Sequence, residues 1–298
     1  MRYTEERYIS LLTDFGFKRI FGTLPNKDLL ISFLNSLFNG EEVVKDVHFL
    51  NSEHVGDVYA ERKAIFDVYC ENERGEKFIV EMQNAKQHYF KDRSLYYATF
   101  PIREQAPKGQ DWNFKLAHVY VVALLNFDMH EEAFARDSII HDVALIDKET
   151  NKVFNEKLRF KYVEVAKFNK NLDELDTLYD KWIYVLKNLA RLNKQPAHLR
   201  NAVFDHLFLE AEIASFTHTE LKEYEDSLKA YRDIKNSLDT AKDEGRAEGM
   251  AKGMAEGMAK GRVETLNKMV SEMKREGLGY DLIEKLTGLT QKDIDAIP

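Results

Sequence analysis

Residues 64–83 read Ala-Ile-Phe-Asp-Val-Tyr-Cys-Glu-Asn-Glu-Arg-Gly-Glu-Lys-Phe-Ile-Val-Glu-Met-Gln. Two short runs rich in Ile, Val, Phe and Tyr, Ala64–Cys70 and Lys77–Gln83, flank a polar stretch containing Gly75, which is a hairpin pattern. Side chains alternate between the faces of a strand. Phe78, Val80 and Met82 therefore share one wholly apolar face that must point at a core, and Ile79, Glu81 and Gln83 share the other. Asp67 interrupts the first apolar run. A turn centred near Arg74 sets Asp67 opposite or diagonal to Glu81.

Two acids at adjacent strand positions repel each other and are costly to bury unpaired. A hard divalent cation removes the conflict, because Mg²⁺ takes oxygen ligands and commonly uses one or two carboxylates. A solvated sheet face, with Glu81 paired to a nearby lysine, accommodates the same residues. Spacing alone leaves both readings open.

Outward from the hairpin the period changes. Residues 1–40 read as helical: Asp14 stands where an N-cap would, with Phe17, Ile20 and Phe21 after it at helical spacing. A second helix follows Pro25-Asn26, with Leu30, Phe33, Leu34, Leu37 and Phe38 on one face and Gly40 as its stop. Beyond the hairpin, Gln87–Gln105 predicts a helix that Pro101 should end or kink, and Lys115–Phe127 a long buried strand. Residues 160–235 read as mostly helical, with a packed stripe through Leu175, Trp182, Val185, Leu186 and Leu189. This order of elements predicts an α/β fold, a mixed sheet flanked by helices.

Gly245, Gly249, Gly253, Gly257 and Gly261 then recur every fourth residue. On an α-helix these glycines form a slowly drifting stripe. Each costs about 0.8–1 kcal/mol relative to Ala, so either a partner helix packs closely on the stripe or the segment is a partly flexible helical linker. Glu248, Lys252, Glu256 and Lys260 alternate in sign along it, which gives i,i+4 support and suits helix pairing. Tyr280–Ile297 reads as two short helices with Thr290 as an N-cap.

Asp67, thirteen intervening residues and then Glu81-Met82-Gln83, preceded by Thr13-Asp14-Phe15-Gly16-Phe17-Lys18-Arg19-Ile20-Phe21-Gly22, resembles the recombination-promoting nuclease and transposase-like family of the PD-(D/E)xK nuclease superfamily. The likeness continues through Phe90, Arg93 and Tyr97, the long apolar strand, the glycine repeat and Leu286-Thr-Gly-Leu-Thr. It covers most of the chain, and the ordered set is what makes it specific. The resemblance implies a restriction-endonuclease-like core over residues 1–160, a helical region over 161–240 packed on or extending it, and a helical tail over 241–298; the alternating charges of that tail lead us to expect homo-oligomers formed through it. It implies Mg²⁺-dependent hydrolysis of DNA phosphodiester bonds in recombination, with Mn²⁺ able to substitute. Asp67 and Glu81 become the metal ligands. Gln83 stands where the superfamily name has Lys, and can orient by hydrogen bonds without bringing charge. Around them Asp14 is a further acid or only a helix cap, and Lys18 a phosphate contact or an exposed cation. Arg93 and Tyr97 support the site, or Arg93 merely packs between Tyr89 and Tyr97.

Composition restricts the alternatives. A single cysteine, Cys70, excludes an intrachain disulfide framework or a cysteine-rich zinc site. The nine histidines form no close His-x₃-His pair, and no glycine-rich phosphate loop follows a predicted strand. Arg2, Glu5, Glu6 and Arg7 leave no apolar leader at the N-terminus, and Val119–Leu125, the longest apolar run, is too short to span a bilayer, so a cytoplasmic location without membrane contact is expected. The net charge of −8 is unlike that of proteins that grip duplex DNA along a basic face. It leaves room for a second function, a nuclease fold that no longer cleaves and serves as an assembly module.

Overall fold

A computed structural model of the chain describes residues 6–54, 64–106 and 112–298; Arg2 and Glu5 lie outside the described residues. It divides into two compact units, residues 1–235 and 236–298.

The first unit opens with helix α1 (Asp14–Phe21) and α2 (Lys27–Phe38). Thr13, not Asp14, caps α1: its hydroxyl accepts from the Gly16 amide at 3.1 Å and donates to the Ser10 carbonyl at 2.7 Å. Asp14 is the first helical residue and points to solvent. Gly16 is required by space, since a Cβ there would lie 2.2 Å from the Ser10 carbonyl oxygen. At the end of α2, Asn39 already takes the left-handed conformation (φ 47°) and Gly40 follows it at φ 88°, so the stop begins one residue before the expected glycine.

The strands are β1 (Val47–Phe49), β2 (Glu53–His54), β3 (Ala64–Ile65), β4 (Val68–Asn72) and β5 (Lys77–Gln83), followed by helix α3 (Phe90–Glu104), then β6 (Val119–Leu125), β7 (Ile140–Ile146) and β8 (Val153–Glu164). Six of them form one sheet in the order β1-β4-β5-β6-β8-β7. β5, β6 and β8 run parallel at its centre, and β1, β4 and β7 are antiparallel to their neighbours. The expected hairpin is β4–β5, in the predicted register, with Val68 opposite Val80 and Tyr69 opposite Ile79. The expected strand Ala64–Cys70 is broken at Phe66-Asp67: β3 pairs with β2 as a separate ribbon, and the Asp67 side chain replaces ladder bonds there.

Three further expectations are corrected. Helix α3 starts at Phe90, three residues late, and runs past Pro101, whose ring is buried and which forfeits one helical bond near the end of the helix. The long strand is β6 alone, bounded by the apolar run Val119–Leu125. Residues 160–164 are strand, not helix, because β8 alternates Phe160 and Tyr162 on one face with Arg159, Lys161 and Val163 on the other.

Both faces of the sheet are covered. Phe78, Val80, Met82, Tyr120, Val122, Leu124 and Val163 pack with α1, α2, α4 (Leu178–Asn188) and α5 (Ala202–Glu210), where Trp182 is fully buried. Ile79, Val121, Ala123, Leu125, Phe160 and Tyr162 pack under α3 through Phe90 and Ala98. The apolar face of β5 therefore points at a core as its alternation requires, and the face bearing Glu81 and Gln83 is buried as well.

Helix α6 (His218–Arg275) begins in the first unit with Tyr224 and Leu228 in its core and continues into the second as a single 58-residue helix. The glycine repeat lies within it. Among the described residues, a Cβ added at any of Gly245, Gly249, Gly253, Gly257 or Gly261 would meet nothing within 4 Å, so no packing among them calls for glycine there. The second unit ends in α7 (Tyr280–Thr287) and α8 (Gln291–Asp295), which close on Val270, Ile283, Ile294 and Ile297. Thr290 caps α8 through a capping box with Asp293, as its position suggests. Among the described residues no helix is long and apolar enough to cross a membrane.

Candidate active site

The β4–β5 register carries on past Val68 and Val80 to bring Asp67 and Glu81 together. The Asp67 amide donates to the Glu81 carboxylate at 3.3 Å, and the Asp67 carboxylate accepts from the Met82 amide at 2.8 Å. The fully buried Phe66 ring anchors the preceding residue, edge-on to Tyr97 with centroids 5.1 Å apart. Because α3 covers the face of β5 that carries Ile79, Glu81 and Gln83, its side chains reach the acids. Arg93 donates to the Gln83 carbonyl oxygen at 2.6 Å, and Gln83 in turn donates to Glu81 at 3.2 Å. The second Arg93 nitrogen bonds Gln87. The guanidinium lies 5.7 Å from the Tyr97 ring centroid and 5.4 Å from that of Phe90, so Phe90 is its second aromatic neighbour and not Tyr89.

Electrostatics separate this pair from an ordinary exposed acidic face. Burial first, and then the charge of Asp67, push the Glu81 carboxyl up to about 8. Burial also raises Asp67, outweighing the Met82 amide and Lys18. Among the described residues neither carboxylate has an ion-pair partner. Lys18 bonds Asp14 at 2.7 Å, four residues away on α1. Burial pulls the Lys18 ammonium down, but Asp14, Asp67 and Glu81 outweigh it and hold its pKa above the ordinary lysine value. The structure thus brings Asp67, Glu81, Gln83, Arg93 and Tyr97 into one cluster, with Lys18 and Asp14 within electrostatic range on α1.

Two further residues at the site carry no catalytic signature in the sequence. Asn84 donates to the Leu12 carbonyl at 2.7 Å and ties the end of β5 to the approach to α1. Gln87 braces Arg93. Their adjacency to Gln83 is the one sequence cue for either.

A second set of ligand types, Glu42, Glu76 and His118, brings its atoms within 4.8 Å of one another. It sits at the opposite end of β5, five residues before Glu81 and so roughly 17 Å away along the strand. Arg74 already donates to Glu42 at 2.7 Å and to Glu76 at 2.6 Å, and His118 lies 3.0 Å from Glu76. A guanidinium already bridges the two carboxylates of that set. Among the described residues no such bridge spans the Asp67–Glu81 pair, and its all-oxygen donors fit a hard divalent cation.

A mixed six-stranded sheet with a parallel centre and helices on both faces fits an α/β core of the PD-(D/E)XK class. The model of one family, described as PD-(D/E)XK nuclease family transposase, matches residues 11–241, and the chain belongs to that family. Nucleases of the superfamily generally use divalent metal ions. Searches of curated proteins and of solved structures found no match.

Proposed function

We propose that this protein is an Mg²⁺-dependent DNA endonuclease, with Mn²⁺ able to substitute, that hydrolyses phosphodiester bonds in recombination or transposition-like events. The observation that carries the reading is the buried opposition of Asp67 and Glu81, two acids that among the described residues form no direct ion pair and whose burial outweighs the nearby charges of Arg93 and Lys18. Such an arrangement is costly unless a cation occupies it. Asp67 and Glu81 are the residues that would hold the ion, which when bound supplies positive charge at the phosphate and acidifies a water.

The protein's own groups supply the rest. Gln83 cannot provide the charge of the superfamily lysine, but its carbonyl oxygen accepts from Arg93 at 2.6 Å. Arg93 therefore brings a permanent positive charge to the place where negative charge develops on the phosphate. Held at its oxygen, the Gln83 amide keeps its N–H groups turned toward the Glu81 carboxylate, where a water or phosphate oxygen would be oriented. Tyr97 and Phe66 fix the loop that carries Asp67. Lys18, already paired with Asp14, is a second cation within range of the substrate phosphate.

The reading extends to assembly. Five helical glycines facing open space cost roughly 4–5 kcal/mol together, and Met250, Met254 and Met258 stay exposed beside them. A second copy packed along this stretch of α6 would offset that cost. Titration calorimetry with Mn²⁺ tests the metal site: wild type should bind with an enthalpy that vanishes in Asp67→Ala, and identical weak binding by both would remove the basis of the reading.

A further inference from the structure

Just beyond the carboxyl ends of β5 and β6, where open α/β sheets hold their ligands, the segment 86–92 and the loop after β6 enclose a cavity of about 440 Å³. Its apolar lining is Phe90, Phe127 and Met129, with Phe90 and Met129 buried, and polar side chains line the remainder. An apolar floor ringed by polar side chains can take a flat ligand and orient its edge. Tyr89 stands at its edge with 79% of its surface exposed, and among the described residues its ring meets only His88, with centroids 6.3 Å apart. The Tyr89 backbone is left-handed, at φ 62°. Asn or Gly adopts that conformation more easily than Tyr, so local backbone preference does not explain a tyrosine there.

The cavity is joined to the acid pair by one side chain. Arg93 bonds Gln83 on β5 and Gln87 in the cavity wall, and so ties the wall to the strand that carries Glu81.

We propose that this cavity is a subsite for one unstacked nucleobase of the DNA strand being cut, with Tyr89 as its stacking platform. The proposal rests on the nuclease reading of Asp67 and Glu81. Charge decides for a base over a phosphate. Lys91 is paired with Glu131 at 2.9 Å, Lys86 donates to the Met129 carbonyl, and Asp92 adds a further acid, so the cations of the wall are already engaged. A flat, neutral ring over an apolar floor fits what remains. A base–aromatic stack also suits a chain of net charge −8, because stacking supplies affinity that does not depend on a basic face. The consequence is a preference for single-stranded or locally opened DNA, in which a base is free to leave its stack.

The test is equilibrium binding of a single-stranded oligonucleotide carrying 2-aminopurine, and of the matching duplex, to the full chain with Ca²⁺ in place of Mg²⁺ to hold off cleavage. Wild type should quench the 2-aminopurine fluorescence and bind the single strand about tenfold more tightly than the duplex. Tyr89→Asn, which keeps an amino acid at ease in the left-handed conformation, should lose the quenching and about tenfold in affinity; Tyr89→Phe should retain both. Equal binding and quenching by wild type and Tyr89→Asn overturns the subsite, as does tighter binding of the duplex. The two readings fail separately. Plasmid nicking that needs Asp67 but ignores Tyr89 leaves the nuclease and removes the subsite. Tyr89-dependent quenching in a protein whose nicking ignores Asp67 removes the nuclease assignment and leaves a base-binding pocket.

Discussion

The Asp67 amide donates to the Glu81 carboxylate at 3.3 Å, so one acid of the pair is held in place by the backbone of the other. The hairpin register and the mutual repulsion of the two side chains are therefore one structural feature. Stability is given up at the position where a cation would be held, a pattern common at functional sites.

Replacing either buried acid by its neutral amide should stabilise the metal-free protein while abolishing cleavage. Glu81→Gln and Asp67→Asn are each expected to gain about 1–2 kcal/mol at pH 7.5, or roughly 2–8 °C in melting temperature for a domain of this size. Calorimetry in EDTA measures it. Lower melting temperatures in both variants would mean that the two carboxylates are already compensated.

The same pair sets a pH dependence. The folded protein holds the Glu81 carboxyl near 8, above its ordinary value of 4.5, so the folded state binds the extra proton. The associated stability is complete below about pH 4.5 and is lost as pH rises through the folded value. In EDTA, the urea midpoint attributable to this group should fall between pH 5.5 and 8.5, and Glu81→Gln should flatten the slope. Parallel curves for the two proteins would contradict the assignment.

Arg93 bonds Gln83 and Gln83 bonds Glu81, and in the proposed site this chain of bonds makes the superfamily residue a poor replacement. Lysine has no acceptor for Arg93 and would set a second cation against it. Gln83→Lys should therefore lower the nicking rate about tenfold or more. Arg93→Lys should cost about as much, because a lysine cannot span Gln83 and Gln87 with a planar fork. A faster Gln83→Lys enzyme would show that this chain of bonds is dispensable.

Gly16→Ala places a methyl group 2.2 Å from a backbone oxygen and forces α1 away from the Ser10 turn. A loss of about 1–3 kcal/mol is expected from chemical denaturation. Because Lys18 rides on the same helix, the apparent affinity for DNA should fall with it. An unchanged denaturation midpoint would mean that the turn relaxes freely.

Deleting residues 243–298 removes the exposed glycine and methionine stretch of α6. Light scattering should then report a monomer, where the full chain reports a multiple of its own mass. If the full chain is itself monomeric, the assembly role falls.

Much of this was legible in the sequence because it is local. The alternation in Lys77–Gln83, the glycine turn and the symmetric placement of Asp67 and Glu81 about Arg74 lead to the observed register. Strand β8 was harder to read, since its inward Phe160 and Tyr162 are interleaved with Arg159 and Lys161, which engage Asp142 on β7. The covering of the Glu81 face was also hidden, because it depends on where α3 docks. So was the bridge from Gln83 through Arg93 to Gln87, which depends on one side chain reaching across that interface. Thr13 displaced Asp14 as the cap because its hydroxyl serves Ser10 and Gly16 at once, a contact visible only when the turn is closed.

The central claim is best tested by nicking of supercoiled plasmid in Mg²⁺ or Mn²⁺ by wild type, Asp67→Ala and Glu81→Ala purified side by side. The account predicts metal-dependent nicking by wild type and a loss of at least about a hundredfold in each variant. No nicking by folded wild type, or equal nicking by all three, would contradict it.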